Sequence, residues 1–205
     1  RDRNLYMRCL NICAEDIEEI TIVGTYLQNG ELDSSPIELI SKKRFDDFNI
    51  SSIAEISKFI SAASGSHFQT NALGGQDQGM ASITLRGLDH SSTLIMINSK
   101  RQTFAGTAAN DGEGYIDVNI IPEIAIQRIE ILKEGATSLY GSDAIAGVIN
   151  FQLIQQFKGV KLDIKYQDTD NYSQTDNKIG GLFGNNVFGF EFVAGLQFLN
   201  RSYLP

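Results

Sequence analysis

The side chains in this sequence that could do chemistry are few and scattered. Its two histidines, His67 and His90, stand far apart, and neither has Cys, His, Asp or Glu neighbours at the spacing of a zinc site. Cys9 and Cys13 form a C-x-x-x-C pair with no second pair elsewhere; that is weak ground for a metal, and two cysteines in a leader are the plainer reading. Ser142 sits in Gly-Ser-Asp and not in the G-x-S-x-G turn that exposes a nucleophilic serine. Asp168, Asp170 and Asp176 lack the central Gly and closing Glu of a calcium loop, and they read as solvated turn residues. Asp46-Asp47 reads as a surface pair. Gly112-Glu113-Gly114 has the look of a phosphate cradle, but no dinucleotide pattern follows it. No catalytic constellation results, so the chain is expected to be no enzyme and to need no metal or cofactor. The charges with a clear pattern lie elsewhere. From Ile126 to Leu132, Ile129 and Ile131 point to one face of a strand, and Arg128 and Glu130 to the other. A charged face of that kind suits a polar neighbour reached by charge-assisted hydrogen bonds.

That strand sits between recognisable elements. Pro122 suits the first turn of a short helix, where its missing N–H is no loss. Gly135 breaks the strand, Gly141 ends a short turn after Tyr140, and Ala146 to Phe151 form a second, small-residue strand. Upstream, Ile20-Thr21-Ile22-Val23-Gly24 is β-branched and favours an extended backbone. Ser35 to Ile40 reads as a strand, and Ser41 caps a brief helix through Phe45. Ser52 and Glu55 have capping-box spacing ahead of a helical stripe of Ile53, Ile56, Phe59, Ile60 and Ala63, which Gly65 stops. Gly74 to Gly79 is a polar loop, Ile83 to Gly87 alternates, and Leu94 to Ile97 is a buried strand. Phe104 to Tyr115 is a long loop, a kind that in compact domains is often functional.

Composition sets the bounds. The chain has 205 residues, a net charge of −8 and 42% hydrophobic residues, enough for one domain with a core and something extra. Its acidic balance argues against a nucleic-acid footprint, which needs clustered Lys and Arg. With 19 Gly, 3 Pro and no Trp, it favours a loop-rich and strand-rich architecture. No apolar run is long enough to cross a bilayer as a helix, although barrel strands remain open. After Phe151 the pattern changes. Val160, Leu162, Ile164 and Tyr166 alternate with Lys161, Asp163, Lys165 and Gln167. Asp168 to Asn171 reads as a turn, Tyr172 to Phe183 alternates less clearly, and Gly184-Asn185-Asn186 reads as a second turn. Phe188, Phe190, Phe192, Ala194, Leu196 and Phe198 then share one face, opposite Gly189, Glu191, Gly195 and Gln197. Such a face fits either a sandwich core or the lipid side of barrel strands.

The run Ile-Pro-Glu-Ile-Ala-Ile-Gln-Arg-Ile-Glu-Ile-Leu-Lys-Glu-Gly-Ala-Thr-Ser-Leu-Tyr-Gly-Ser-Asp-Ala-Ile-Ala-Gly-Val-Ile-Asn-Phe, Ile121 to Phe151, resembles the plug-domain signature of TonB-dependent outer-membrane receptors. The match holds over about thirty positions and is far more specific than a short glycine motif. Leu85-Arg86-Gly87 is similar to the family's Ile-Arg-Gly element. Met96-Ile97-Asn98-Ser99-Lys100-Arg101 stands where the family usually has Leu-Ile-Asp-Gly-Arg-Arg. Asn98-Ser99 makes that turn less comfortably than a glycine would. The resemblance implies an α+β plug domain, a small mixed sheet with short helices and long loops, followed by the first antiparallel strands of a transmembrane β-barrel. It divides the chain into a leader (1–19), a TonB box and linker (20–34), the plug (35–155) and the start of the barrel (156–205). Residues up to Ala14 lack the basic start and apolar core of a signal peptide, and whether they are the incomplete end of one stays open.

The resemblance also implies a function: energy-coupled uptake of a scarce small molecule, such as an iron–siderophore complex or cobalamin. The expected place is the outer membrane of a Gram-negative cell, with the plug in the barrel lumen and the N-terminus in the periplasm. Ile20, Thr21, Ile22, Val23 and Gly24 would bind TonB by lending an unpaired strand to its sheet edge. Arg86, Arg128 and Glu130 would contact the barrel wall, with solvent-exchanged charges the alternative for Glu130 and Lys133. Gly87, Lys133, Gly135, Tyr140, Gly141 and Gly147 hold signature positions, and Phe104 and Tyr115 bound the loop expected to meet the ligand. The expected partners are TonB, the ligand and outer-membrane lipid. Family barrels have about 22 strands, and at roughly ten residues per strand this chain supplies about three. An open set would leave unpaired backbone in lipid, so the chain is expected to be the N-terminal part of a larger receptor. A soluble periplasmic binding or signalling module with a plug-like fold is the alternative.

Overall fold

The β-branched run Ile126–Leu132 forms strand β4, and a five-stranded mixed sheet is built around it. The computed structural model describes residues 37–48, 50, 52–66, 81–109, 112–133, 137–168, 175–187 and 190–201. The expectations for Ile20 to Gly24, Cys9, Cys13, His67, the Gly74 to Gly79 loop, Gly135, Phe188, Gly189 and the turn after Asp168 fall outside these residues. The chain divides into two compact units. Of the described residues, one contains 37–121 and 126–153, and the other contains Pro122–Ala125 and the strands after Leu153.

In the first unit the strands are β1 (Ile37–Ser41), β2 (Thr93–Ile97), β3 (Lys100–Arg101), β4 and β5 (Gly147–Leu153), in the order β1-β4-β5-β2-β3. β4 runs antiparallel to both β1 and β5, while β5 runs parallel to β2. Residues of β4 and β5 are buried on both faces of the sheet, against one cluster on each side. Ile129, Ile131, Ile149 and Phe151 join Ile40, Phe45, Ile56 and Leu85 in the main core, and Leu94, Met96, Leu132, Ala144 and Val148 form a smaller cluster.

Local chemistry sets the ends of the short elements. Ser41 Oγ accepts from Arg44 N at 3.4 Å and starts helix α1 (Lys42–Asp47), which carries Phe45 into the core. The capping box expected at Ser52 does not form. Ile53–Phe59 winds as a 3₁₀ helix, Glu55 N bonds the Ser52 carbonyl, and the Ser52 side chain makes no cap bond. Three residues per turn eclipse Ile53, Ile56 and Phe59. The first two are buried, and Phe59 is left 42% exposed, stacked on Phe48 at 4.0 Å. The alternation at Ile83 to Gly87 also ends differently. Arg86 and Gly87 adopt positive φ (60° and 65°) in a tight turn, with Ile83 and Leu85 buried before it.

The Asn98-Ser99 turn takes φ of 49° and 61°, the sign that a tight two-residue hairpin requires at both central positions. Side chains compensate for the missing glycine. Ser99 N donates to Asn150 Oδ1 at 2.9 Å, and Leu153 N donates to Asn98 Oδ1 at 2.8 Å.

The second unit contains β6 (Gly159–Asp168), β7 (Thr175–Val187) and β8 (Phe190–Arg201), an antiparallel sheet in sequence order. Their 10, 13 and 12 residues meet the length a membrane-crossing strand needs. The turn expected at Gly184-Asn185-Asn186 is instead the continuation of β7, paired with Val193, Phe192 and Glu191. A Cβ on Gly184 would lie 2.1 Å from the Phe157 carbonyl oxygen, so this glycine serves a close approach within a strand.

Candidate functional site

The charged face of β4 meets its polar neighbour within its own sheet. Glu130 is 1% exposed, and both its carboxylate oxygens are engaged: Arg128 Nε donates to Oε1 at 2.8 Å, and Asn150 Nδ2 donates to Oε2 at 2.9 Å. A buried carboxylate is tolerable only when paired in this way. The resemblance placed Glu130 against a barrel wall; its burial leaves nothing of it to present to one. The solvent-exchanged alternative fails for the same reason. Arg128 keeps 14% of its side chain exposed. Asn150, absent from the sequence-derived candidates, is fully buried in an apolar strand. A lone Asn in Gly-Val-Ile-Asn-Phe was the available signal, since such a residue needs a partner.

Lys133 also has specific partners. Its Nζ lies 2.8 Å from Glu38 Oε2 and donates to Ser61 Oγ at 3.2 Å, joining β1 to the end of β4. Arg86, exposed on its positive-φ turn beside Gly87, donates from Nη2 to the Lys133 carbonyl. Gly147 has φ 139°, and a Cβ there would stand 2.5 Å from the Leu132 carbonyl oxygen. Only glycine lets β5 start that close to β4. Tyr140 ends the one-turn helix α2 (Thr137–Tyr140) and packs on the smaller cluster, and Gly141 (φ 84°) turns the chain after it. Arg101 closes this region by donating to Asp143 Oδ2 at 2.8 Å and to the Tyr140 carbonyl. Some forty residues of sequence separate these partners, and no spacing rule links them.

The Phe104 to Tyr115 loop folds back on itself. Ala105 N donates to the Tyr115 carbonyl at 2.8 Å, and Ala109 N to the Glu113 carbonyl at 2.9 Å. Tyr115 turns inward onto Ala105 and Ala109, with its hydroxyl 3.2 Å from Thr107 Oγ1. Phe104 turns outward, 51% exposed. The two residues named for ligand contact therefore part company: one braces the loop, and the other is available. Just beyond, burial raises the pKa of Asp117, against hydrogen bonds from the backbone of Asn119 and Ala81 that lower it.

In the second unit the two faces of the sheet differ sharply. Val160, Leu162, Ile164, Tyr166, Ile179, Phe183, Phe190, Phe192, Leu196 and Phe198 are exposed on one face. They are in register across the strands, with Val160 opposite Phe183 and Ile179 between Ile164 and Phe198. The opposite face carries Lys161, Asp163, Lys165, Asp176, Lys178 and Gln197. On it, Glu123 of the segment Pro122–Ala125 meets Lys165 Nζ at 3.0 Å and also Lys178 Nζ. Glu123, Lys165 and Lys178 were not among the sequence-derived site residues. An acid after a helix-starting proline looks like an ordinary first-turn residue, and the lysines look like one polar stripe.

A small mixed sheet with long loops, ahead of strands with one apolar and one polar face, is the architecture of a plug followed by the start of a barrel. The sequence model of the TonB-dependent Receptor Plug Domain family matches residues 32–148, more than half of the chain, and the chain belongs to that family. It is 28% identical over 177 residues to the vitamin B12 transporter BtuB of Vibrio vulnificus, covering 84% of this chain and 27% of that protein. It is 46% identical over 69 residues to the iron-regulated outer membrane virulence protein of Vibrio cholerae, covering 33% of this chain and 11% of that one. Among solved structures, the ferric enterobactin receptor of Pseudomonas aeruginosa in complex with enterobactin superimposes with a TM-score of 0.64 at 18% identity, over 84% of this chain and 26% of that one. The siderophore receptor PirA of Acinetobacter baumannii gives 0.56 at 22% identity, over 80% and 24%. At such identities the structural likeness speaks for the fold. The chain spans only about a quarter of the vitamin B12 transporter it matches.

Proposed function

We propose that this chain forms the plug and the first three barrel strands of a TonB-dependent outer-membrane receptor. The receptor takes up a scarce small molecule, an iron–siderophore complex or cobalamin, the ligand types named for its relatives. The observation that carries this reading is the continuity of two features in one chain. A plug-family match over 32–148 is followed at once by strands of 10, 13 and 12 residues whose exposed apolar side chains share one face. In water that face would be a large aggregation-prone patch; in a bilayer it is the lipid side of a barrel.

In this reading the plug occupies the lumen, and Ile20 to Gly24, on the periplasmic side, lend a strand to TonB. Phe104 is the loop residue available to the ligand. Arg86 and Arg128, which keep exposed surface, contact the inner barrel wall.

The test is uptake by cells carrying the full receptor, with labelled ferric enterobactin and vitamin B12 both offered, with and without TonB. Ile22→Pro removes a main-chain donor from the augmenting strand. Uptake falls at least tenfold, to the level seen without TonB, while surface binding of the same ligand is retained. Unchanged uptake in that variant overturns the TonB assignment.

A further inference from the structure

The segment Pro122–Ala125 lies within the stretch matched by the plug family, yet it packs as part of the strand unit. Each of the three strands holds it differently. Lys165 of β6 takes one oxygen of the Glu123 carboxylate, and Lys178 of β7 takes the other. The two lysines are register partners, so the carboxylate is what makes their juxtaposition tolerable. Glu123 and Lys178 are each 3% exposed. On β8, Gln197 Oε1 accepts from Glu123 N at 2.7 Å, and the Ala125 carbonyl accepts from Ile154 N at 2.8 Å, where the chain leaves for β6.

The strands are also narrowed where the segment lies. Gly180 faces Ile124, and a Cβ on Gly180 would be 3.5 Å from the Ile124 Cβ. Gly195 faces Ala125 and Pro122, and a Cβ there would be 3.3 Å from the Ala125 Cβ. At Gly195 that approach is tighter than ordinary contact, whereas a Cβ at Gly180 would rest on Ile124 in ordinary contact and leave the segment in place.

We propose that Pro122–Ala125 is a fixed anchor. When the rest of the plug yields during uptake, these four residues stay on the first barrel strands. Withdrawing Glu123 would leave two lysines facing each other with their shared carboxylate gone, and breaking a buried pair is far harder than breaking an exposed one. Arg86 offers the contrast: it is exposed, and its contact with the Lys133 carbonyl can exchange with water. Force on the N-terminus is therefore expected to free the chain as far as Ile121 and stop there.

This inference rests on the receptor reading, but its test needs neither ligand nor TonB. The full receptor is held in a lipid bilayer and pulled from a handle fused ahead of Ile20. Cys9 and Cys13 are replaced by serine, and Ile124→Cys is combined with Gly180→Cys, whose separation suits a disulfide. The first release step is then compared between the oxidised and reduced forms. An anchor gives steps of equal length. A reduced form that releases roughly 10 nm more, the extended length of residues 122–153, overturns the proposal.

The wild-type receptor and Glu123→Gln give an independent comparison. The variant is expected to lengthen the first step by about the same 10 nm. An unchanged step shows that the carboxylate does not hold the segment, and overturns it. Failure of the receptor reading appears separately, as uptake that does not depend on TonB.

Discussion

Strands β4 and β6 have nearly the same pattern and opposite outcomes. Ile-Gln-Arg-Ile-Glu-Ile-Leu and Val-Lys-Leu-Asp-Ile-Lys-Tyr both alternate apolar with charged residues, yet the β4 isoleucines are fully buried while Val160, Leu162, Ile164 and Tyr166 are about half exposed. The difference lies in the neighbours. β4 runs between β1 and β5 under a core on both sides, so its charges must pair inside the sheet. β6 has β7 beside it and nothing over its apolar face among the described residues. A period of two says which residues share a face; what covers that face decides whether it is core or lipid side.

Substitutions at matched positions sharpen the contrast. Ile129→Ala deletes a side chain from a closed core and is expected to cost about 3–4 kcal/mol. Leu162→Ala removes a side chain that is 56% exposed, and it should cost less than about 1 kcal/mol in the same urea unfolding series of the detergent-solubilised receptor. Equal losses would erase the distinction. Arg128→Ala takes the guanidinium away from the buried Glu130 carboxylate, at a cost of about 3 kcal/mol. It should also loosen the plug, seen as greater sensitivity of cells to large antibiotics. Lys161→Ala, its counterpart on β6, should change neither.

The smallest effect concerns Asp117. Burial raises its folded pKa above its unfolded value, so folding favours the protonated form. The stabilisation linked to that proton is present below the unfolded pKa and is lost as pH rises through the raised folded value. Asp117→Asn keeps an acceptor for Asn119 N without the charge. It should therefore be more stable than the parent at pH 7, with the advantage shrinking towards pH 3. A wild type that gains stability relative to the variant as pH rises would contradict this.

Much of this architecture was legible in the sequence, because local rules governed it. The proline ahead of β4, the buried run at β2, the cap at Ser41 and the long strands after Phe151 all follow from residue type and period. The parts that stayed hidden depend on contacts far apart in sequence. Arg101 finds Asp143 and Tyr140 only when β3 and α2 come together. Glu130 reads as a barrel-wall contact, or alternatively a solvated charge, because nothing local reveals that Arg128 and Asn150 enclose its carboxylate within the sheet. The turn expected at Gly184 to Asn186 failed for a similar reason. Gly-Asn-Asn is turn chemistry in isolation, but pairing with β8 holds it extended. The 3₁₀ winding of Ile53–Phe59 likewise leaves the same apolar residues in view while changing which of them align.

The central claim is that a plug sheet and membrane strands follow one another in one chain. It is tested most directly by a nitroxide scan of the full receptor reconstituted in lipid, with single cysteines placed in turn from Val160 to Gln167 and from Ile126 to Leu132. The account predicts that probes at 160, 162, 164 and 166 are reached by oxygen dissolved in the bilayer, and that those at 161, 163, 165 and 167 are not. Probes along β4 should be shielded from both oxygen and a water-soluble nickel reagent. If positions 160, 162, 164 and 166 are instead open to the nickel reagent, or are as shielded as β4, these strands do not face lipid and the receptor reading fails.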